Sequence, residues 1–211
     1  MIEGIGIALK SYYDTASGAK NILESAIAQI NNNYIGAMLA EKTKEAKEIY
    51  NNTLADSRKT NYEACIAILD EVAGQARKVV EQPVSPDFIS TLEALKQMDF
   101  PTEKEVQTVV GAYKNNYFAY RAICDFLKIV PKPVTIDDID EDLADIRSGL
   151  YQCFYSDNIE AYHFRNWMEG TILASYDEVF RAFCEGRFED AVQGEQGKDE
   201  GIDAEKQNNN G

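Results

Sequence analysis

The chain has 211 residues, a net charge of −15 and 45% hydrophobic residues, enough apolar material for one sizeable domain or a compact domain with an extended element. No apolar run approaches the ~18 residues of a membrane span, and the Met1–Lys10 segment has neither a basic start nor a cleavage site, so a cytoplasmic protein that does not engage a membrane is expected. The charge is uneven: residues 1–82 carry 9 basic and 11 acidic side chains, a balance of −2, while residues 83–211 carry 12 and 25, a balance of −13, which argues against direct nucleic-acid binding by the later part.

From Ala16 to Gln82 there is no proline, and apolar residues recur at helical spacing. Ala46, Ser57, Ile68 and Val79 lie eleven apart, as do Leu54, Cys65 and Ala76, and Tyr50, Asn61 and Val72. Eleven residues in three turns is close to the period of a straight helix, so at least one helix longer than thirty residues is expected here. Asn31-Asn32-Asn33 and Asn51-Asn52-Thr53 are poor helix interiors, because asparagine side chains compete for the backbone. A hairpin turning at residues 31–33 is therefore the alternative to one continuous rod. In either form the apolar stripe needs a second surface to cover it.

Pro83-Val84-Ser85-Pro86 ends the long element, with Ser85 expected to cap a short helix over residues 86–98. Thr102 with Glu105 has capping-box spacing and is expected to open one helix running to about Ile129. Its stripe of Val106, Val110, Tyr113, Tyr117, Tyr120, Cys124 and Leu127 steps by four and three. After the stiff Pro131-Lys132-Pro133 linker, Thr135 can cap a helix whose start is crowded with Asp137, Asp138, Asp140, Glu141 and Asp142, where the helix dipole favours carboxylates. Asp157 and Glu160 read as a further start, leading through Trp167 and Phe180 to about Ala191. Residues 193–211 are glycine, glutamine, asparagine and charge, and are expected to be disordered. No strand signal occurs. The fold class is all-α: a long N-terminal helix or helical hairpin (1–82) packed with a helical bundle (83–192), followed by a disordered acidic tail (193–211).

Candidate chemistry is sparse. His163, the only histidine, stands three after Glu160, the spacing of a di-iron half-site, but such a site needs two pairs and two more glutamates, so a capped, partly buried histidine is expected instead. Asp138-x-Asp140-x-Asp142 resembles the start of a calcium loop, yet Leu143 stands where the loop needs glycine and Gly149 where it needs glutamate. Cys65, Cys124, Cys153 and Cys184 form no C-x-x-C pair and sit among apolar neighbours, as structural thiols do. There is no phosphate-binding glycine loop. No metal, cofactor or catalytic group is expected, and the protein is read as a non-enzyme.

Twelve tyrosines are many for a helical chain. The seam of Tyr113, Tyr117 and Tyr120 reads as a wide helix face packed on two neighbours, and its functional alternative makes these tyrosines, with Arg121, partner-binding residues, because tyrosine and arginine concentrate at interface hot spots. Asp137, Asp138, Asp140, Glu141 and Asp142 are expected to suit a basic protein partner. The expected function is a helical interaction or assembly protein, docking on other proteins or forming a homo-oligomer, of the kind found in phage and other mobile-element assemblies. The alternative is an acidic inhibitor that mimics DNA in the nucleic-acid groove of a basic enzyme.

Overall fold

The computed structural model describes residues 2–99, 101–129, 132–155 and 161–191, and across them the chain is all-α, with eight helices and no strand. In order these are α1 (Glu3–Asn33), α2 (Gly36–Val80), α3 (Asp87–Lys96), α4 (Glu103–Tyr113), α5 (Tyr117–Leu127), α6 (Ile136–Tyr155), α7 (Ala161–Met168) and α8 (Thr171–Cys184). None of them is long and apolar enough to cross a membrane. The expected acidic tail and the Asp157–Glu160 helix start lie outside the described residues.

The early segment is two helices, of 31 and 45 residues. The chain leaves helical angles at Tyr34 and re-enters at Gly36, whose φ of +61° suits glycine because it carries no Cβ. The asparagine triplet is the last helical turn rather than the turn between helices, which falls just after it. Two contacts show that α1 and α2 run antiparallel. The Arg58 Nη2 lies 3.5 Å from the Tyr12 hydroxyl, and Gly4 faces the Ile68 side chain. Both pairs are centred on residues 35 and 36, as a hairpin requires.

The chain forms two compact units: Met1–Glu71 with Leu143–Ala174, and Val72–Asp142 with Ser175–Gly211. In the first unit, Ile2, Ile5 and Leu9 of the α1 end are buried, as are Cys65 and Leu69 of α2, Ile146, Leu150 and Phe154 of α6, and Trp167. Gly6 lets the Met168 carbonyl approach α1, and Gly149 lets the Trp167 ring lie directly on α6. The long N-terminal helices thus pack with later helices at one end of the hairpin. Arg147 adds an ion pair of 2.7 Å to Asp70.

The second unit is built round aromatic rings. Tyr117, Phe183 and Phe188 meet edge to face at 5.5–5.6 Å, and Tyr120 stacks on Phe188. Such geometry sets ring edges against ring faces and adds to the area buried. A satellite cluster of Phe88, Ala119 and Ile123 holds α3 and α4. The single helix expected from Thr102 to Ile129 is instead two. Thr102 and Glu105 do form the reciprocal capping box, but α4 ends at Tyr113 and Asn116 caps a new helix by accepting from the Ala119 N–H at 3.1 Å. The Asn116 amide also donates to the Pro83 carbonyl at 3.1 Å, so a tertiary bond selects the break. Ser85 enters α3 through its carbonyl, which accepts from Phe88, and not through its hydroxyl.

Candidate interaction surface

The hairpin divides sharply along its length. From Lys10 to Ala64 no residue is buried, whereas the residues just outside this span on both helices are. The stalk so defined still has an inward seam. On α1 the half-covered Tyr12, Ala16, Ala19, Leu23, Ala26 and Ile30 alternate steps of four and three, a heptad seam, with half-covered Thr15 and Ile27 on its two margins. On α2 the seam is Leu39, Thr43, Ala46, Tyr50, Leu54, Ser57 and Asn61, with half-covered Lys42, Arg58 and Tyr62 beside it, continuing into buried Cys65, Val72, Ala76 and Val79. The eleven-residue register of the sequence is therefore the inward stripe. Its alanines, serine and threonine shield little surface, so the stalk's own seam stays partly wet.

Large apolar side chains also point away from that seam. At the tip, Ile35 is 88% exposed, flanked by exposed Tyr34 and Met38. Along the flank, Ile22 and Ile49 are 70% and 67% exposed. A scatter of single exposed apolar residues is ordinary, but contiguous ones mark contact surfaces. At the base of the stalk, the Arg58 guanidinium lies over the Tyr155 ring at 5.4 Å, Tyr155 stacks on Tyr151 at 5.0 Å, and Tyr62 meets both rings edge-on. The Arg58 Nε is buried with no hydrogen-bond acceptor among the described residues. Tyr151 is more than half exposed, so this arginine–tyrosine patch reaches solvent. The sequence contained its signal, aromatic residues at 151, 154 and 155, but nothing local connects them to residues 58 and 62.

The tyrosines of the Tyr113–Tyr120 seam lie elsewhere. Tyr117 is 2% exposed and Tyr120 7%, both inside the second unit's aromatic core. Tyr113 is half-buried against Phe88, with its hydroxyl 3.3 Å from that of Thr91. Their rings serve the fold, and Phe118 is the aromatic residue of α5 that faces outward. Arg121 is bound to the Tyr117 hydroxyl at 3.0 Å and lies over its ring, and the same hydroxyl accepts the first N–H of α6 from Ile136. Arg121 and Asp138 both line a pocket of about 270 Å³ with Asp125 and Lys132. Burial pushes the neighbouring Tyr120 phenol up to about 12 and raises the Cys124 thiol.

The acidic cluster is split among tasks. Asp138 accepts from both the Thr135 N–H and hydroxyl at 2.8 Å, a reciprocal cap for α6. Asp140 lies 3.7 Å from Arg77. Asp137 and Glu141 are exposed, and Asp142 is half-buried. No group of three or more histidine, cysteine or acidic side chains able to hold a metal ion occurs among the described residues. His163 is exposed rather than partly buried, and Glu160 lies outside the described residues. Burial drives the Cys65 and Cys153 thiols up to about 12, with each in the unit's core. Such thiols stay protonated and are poor nucleophiles. Comparison with family models, with curated proteins and with solved structures finds no match to this chain.

Proposed function

We propose that this chain is a non-enzymatic helical protein that docks onto another polypeptide through the α1–α2 stalk and its apolar tip. The observation that carries this is the stalk itself: 55 consecutive residues, Lys10 to Ala64, none buried, bearing Ile22, Ile35, Met38 and Ile49 in water. Covering such side chains stabilises a complex by roughly 25 cal/mol per Å² of apolar surface removed from solvent. A two-helix rod cannot do this alone, since a second helix covers only one side of the first. Affinity capture from producing cells with the intact chain, compared with an Ile35→Asp, Met38→Asp variant, tests it. A polypeptide that co-purifies with the first and is lost with the second supports docking at the tip. Identical capture by both chains contradicts it.

The acidic-inhibitor alternative has one observation in its favour, the exposed Asp137, Glu141 and Asp145 spaced by one helical turn on α6. Its weakness is that Asp138 and Asp140 are already engaged by Thr135 and Arg77. Salt-sensitive binding to a basic nucleic-acid enzyme, abolished by charge reversal at those three positions, would favour it over docking by the stalk.

A further inference from the structure

The flank of the stalk carries a pattern that specifies its occupant. Ile22 immediately precedes the seam residue Leu23, and Ile49 immediately precedes the seam residue Tyr50. In an antiparallel pair the positions just before those seam residues flank the same side of the seam. Ile22 and Ile49 also sit at equal heights, since that pair is centred between residues 35 and 36, while the Tyr12–Arg58 and Gly4–Ile68 contacts are centred on 35 and 36. The two most exposed isoleucines of the stalk's flank thus share one face at one level.

That face is uncharged on α1. Thr15, Gly18, Ile22, Ser25 and Gln29 repeat at steps of three and four, with Ser11 and Asn32 continuing the row, while Asp14, Lys20 and Glu24 all fall outside it. Nothing lies within 4 Å of a Cβ built on Gly18, so the backbone is open to close approach. The row is also nearly symmetric about Ile22: small residues on either side, then a hydroxyl and an amide at equal distance. On α2 the corresponding row is Lys42, Glu45, Ile49, Asn52 and Asp56, with Lys42 seven residues before Ile49 and Asp56 seven after, and Lys42 pairs within its own helix with Glu45 at 2.8 Å. A two-fold axis crossing the stalk at this height would lay α1 antiparallel on α1 of a second molecule, and α2 on α2. Ile22 would then meet its own copy, and Lys42 would face the second molecule's Asp56.

We propose that the Ile22–Ile49 face of the stalk binds a second copy of this chain, forming an antiparallel four-helix bundle with two-fold symmetry. This rests on the reading of the stalk as an interaction element and names one of its partners. Three further considerations favour a second copy. The chain carries −15, which opposes self-association in general, but residues 10–64 hold seven basic and seven acidic side chains and are neutral as a whole. The Lys42–Asp56 juxtaposition is attractive twice over in a symmetric pair, because a two-fold interface repeats each contact. A face about 30 Å long and two helices wide covers about 600 Å² per copy, so the pair reaches roughly 1,200 Å², the lower range of specific interfaces.

Equilibrium sedimentation of the full chain tests this, with circular dichroism confirming that each variant keeps its helix content. The wild type is expected to dimerise. Ile22→Asp sets two carboxylates face to face on the axis and is expected to weaken the dimer by at least ~100-fold. Lys42→Glu is expected to weaken it, and Lys42→Glu combined with Asp56→Lys to restore it. A wild type that stays monomeric at ~100 µM, a dimer indifferent to Ile22→Asp, or a charge swap that fails to rescue would each overturn the proposal. The tip-dependent capture described above is independent of all three, so a monomer with intact capture overturns the dimer and leaves docking at the tip standing. A normal dimer with tip-independent capture overturns docking and leaves the dimer.

Discussion

At the scale of single residues, close approach and burial settle what substitutions do. A Cβ on Gly149 would overlap the Trp167 ring, whose rigid edge has no flexible end to yield. Gly149→Ala gains helix propensity of about 1 kcal/mol, but overpacking a buried ring costs roughly 1–3 kcal/mol. The expected outcome is a net loss of stability, seen as a lower urea midpoint. Gly111→Ala, with open space round the new methyl, gains the propensity alone and is expected to raise the midpoint. The thiols give a pH signature. Burial holds Cys65 and Cys153 protonated up to about 12 in the folded state, against 9.0 for an ordinary thiol. The folded chain therefore binds more protons than the unfolded chain between those values, and stability falls as pH rises from 9 to 12. At pH 8 a thiol reagent is expected to label the two only on unfolding, with labelling kinetics in urea following the denaturation curve.

Among the secondary-structure elements, the pattern of legibility follows the range of the forces involved. The α2 stripe was legible because burial on one helix face imposes its own period, and residues 46 to 79 keep an eleven-residue register throughout. The capping box at Thr102 and the helix cap at Thr135 were legible because each is settled within four residues. The break between α4 and α5 was not, since Lys114-Asn115-Asn116 interrupts a heptad seam without proline or glycine, and what selects it is the Asn116 bond to Pro83, 33 residues away. Asn116→Ala removes the α5 cap and that tether together. A loss of about 1–2 kcal/mol is expected from cap and hydrogen bond combined, measured by thermal or chemical denaturation. An Asn116→Asp change keeps the cap acceptor and is expected to retain part of it.

For the whole molecule, composition and fold class were readable, but which aromatic faces turn inward was not. Tyr117 and Tyr120 lie on an amphipathic face, and a core face and a partner face have the same local pattern until tertiary structure assigns one inward. The stalk's exposed isoleucines were equally hidden, because Ile22 and Ile49 are brought level only by the hairpin turn at Tyr34 and Ile35. The acidic balance after residue 82 is compatible with solubility and with capping, as the fates of Asp138 and Asp140 illustrate. What distinguishes docking by the stalk from inhibition by the acidic helix is where a neighbour touches the molecule. A photo-crosslinking amino acid placed in turn at Ile35, Ile22 and Glu141 of the intact chain, in producing cells, measures this directly. Adducts with another polypeptide at Ile35, adducts of twice the chain's own mass at Ile22 and none at Glu141 are expected. Adducts confined to Glu141, with Ile35 and Ile22 left unreacted in water, would contradict the stalk's role.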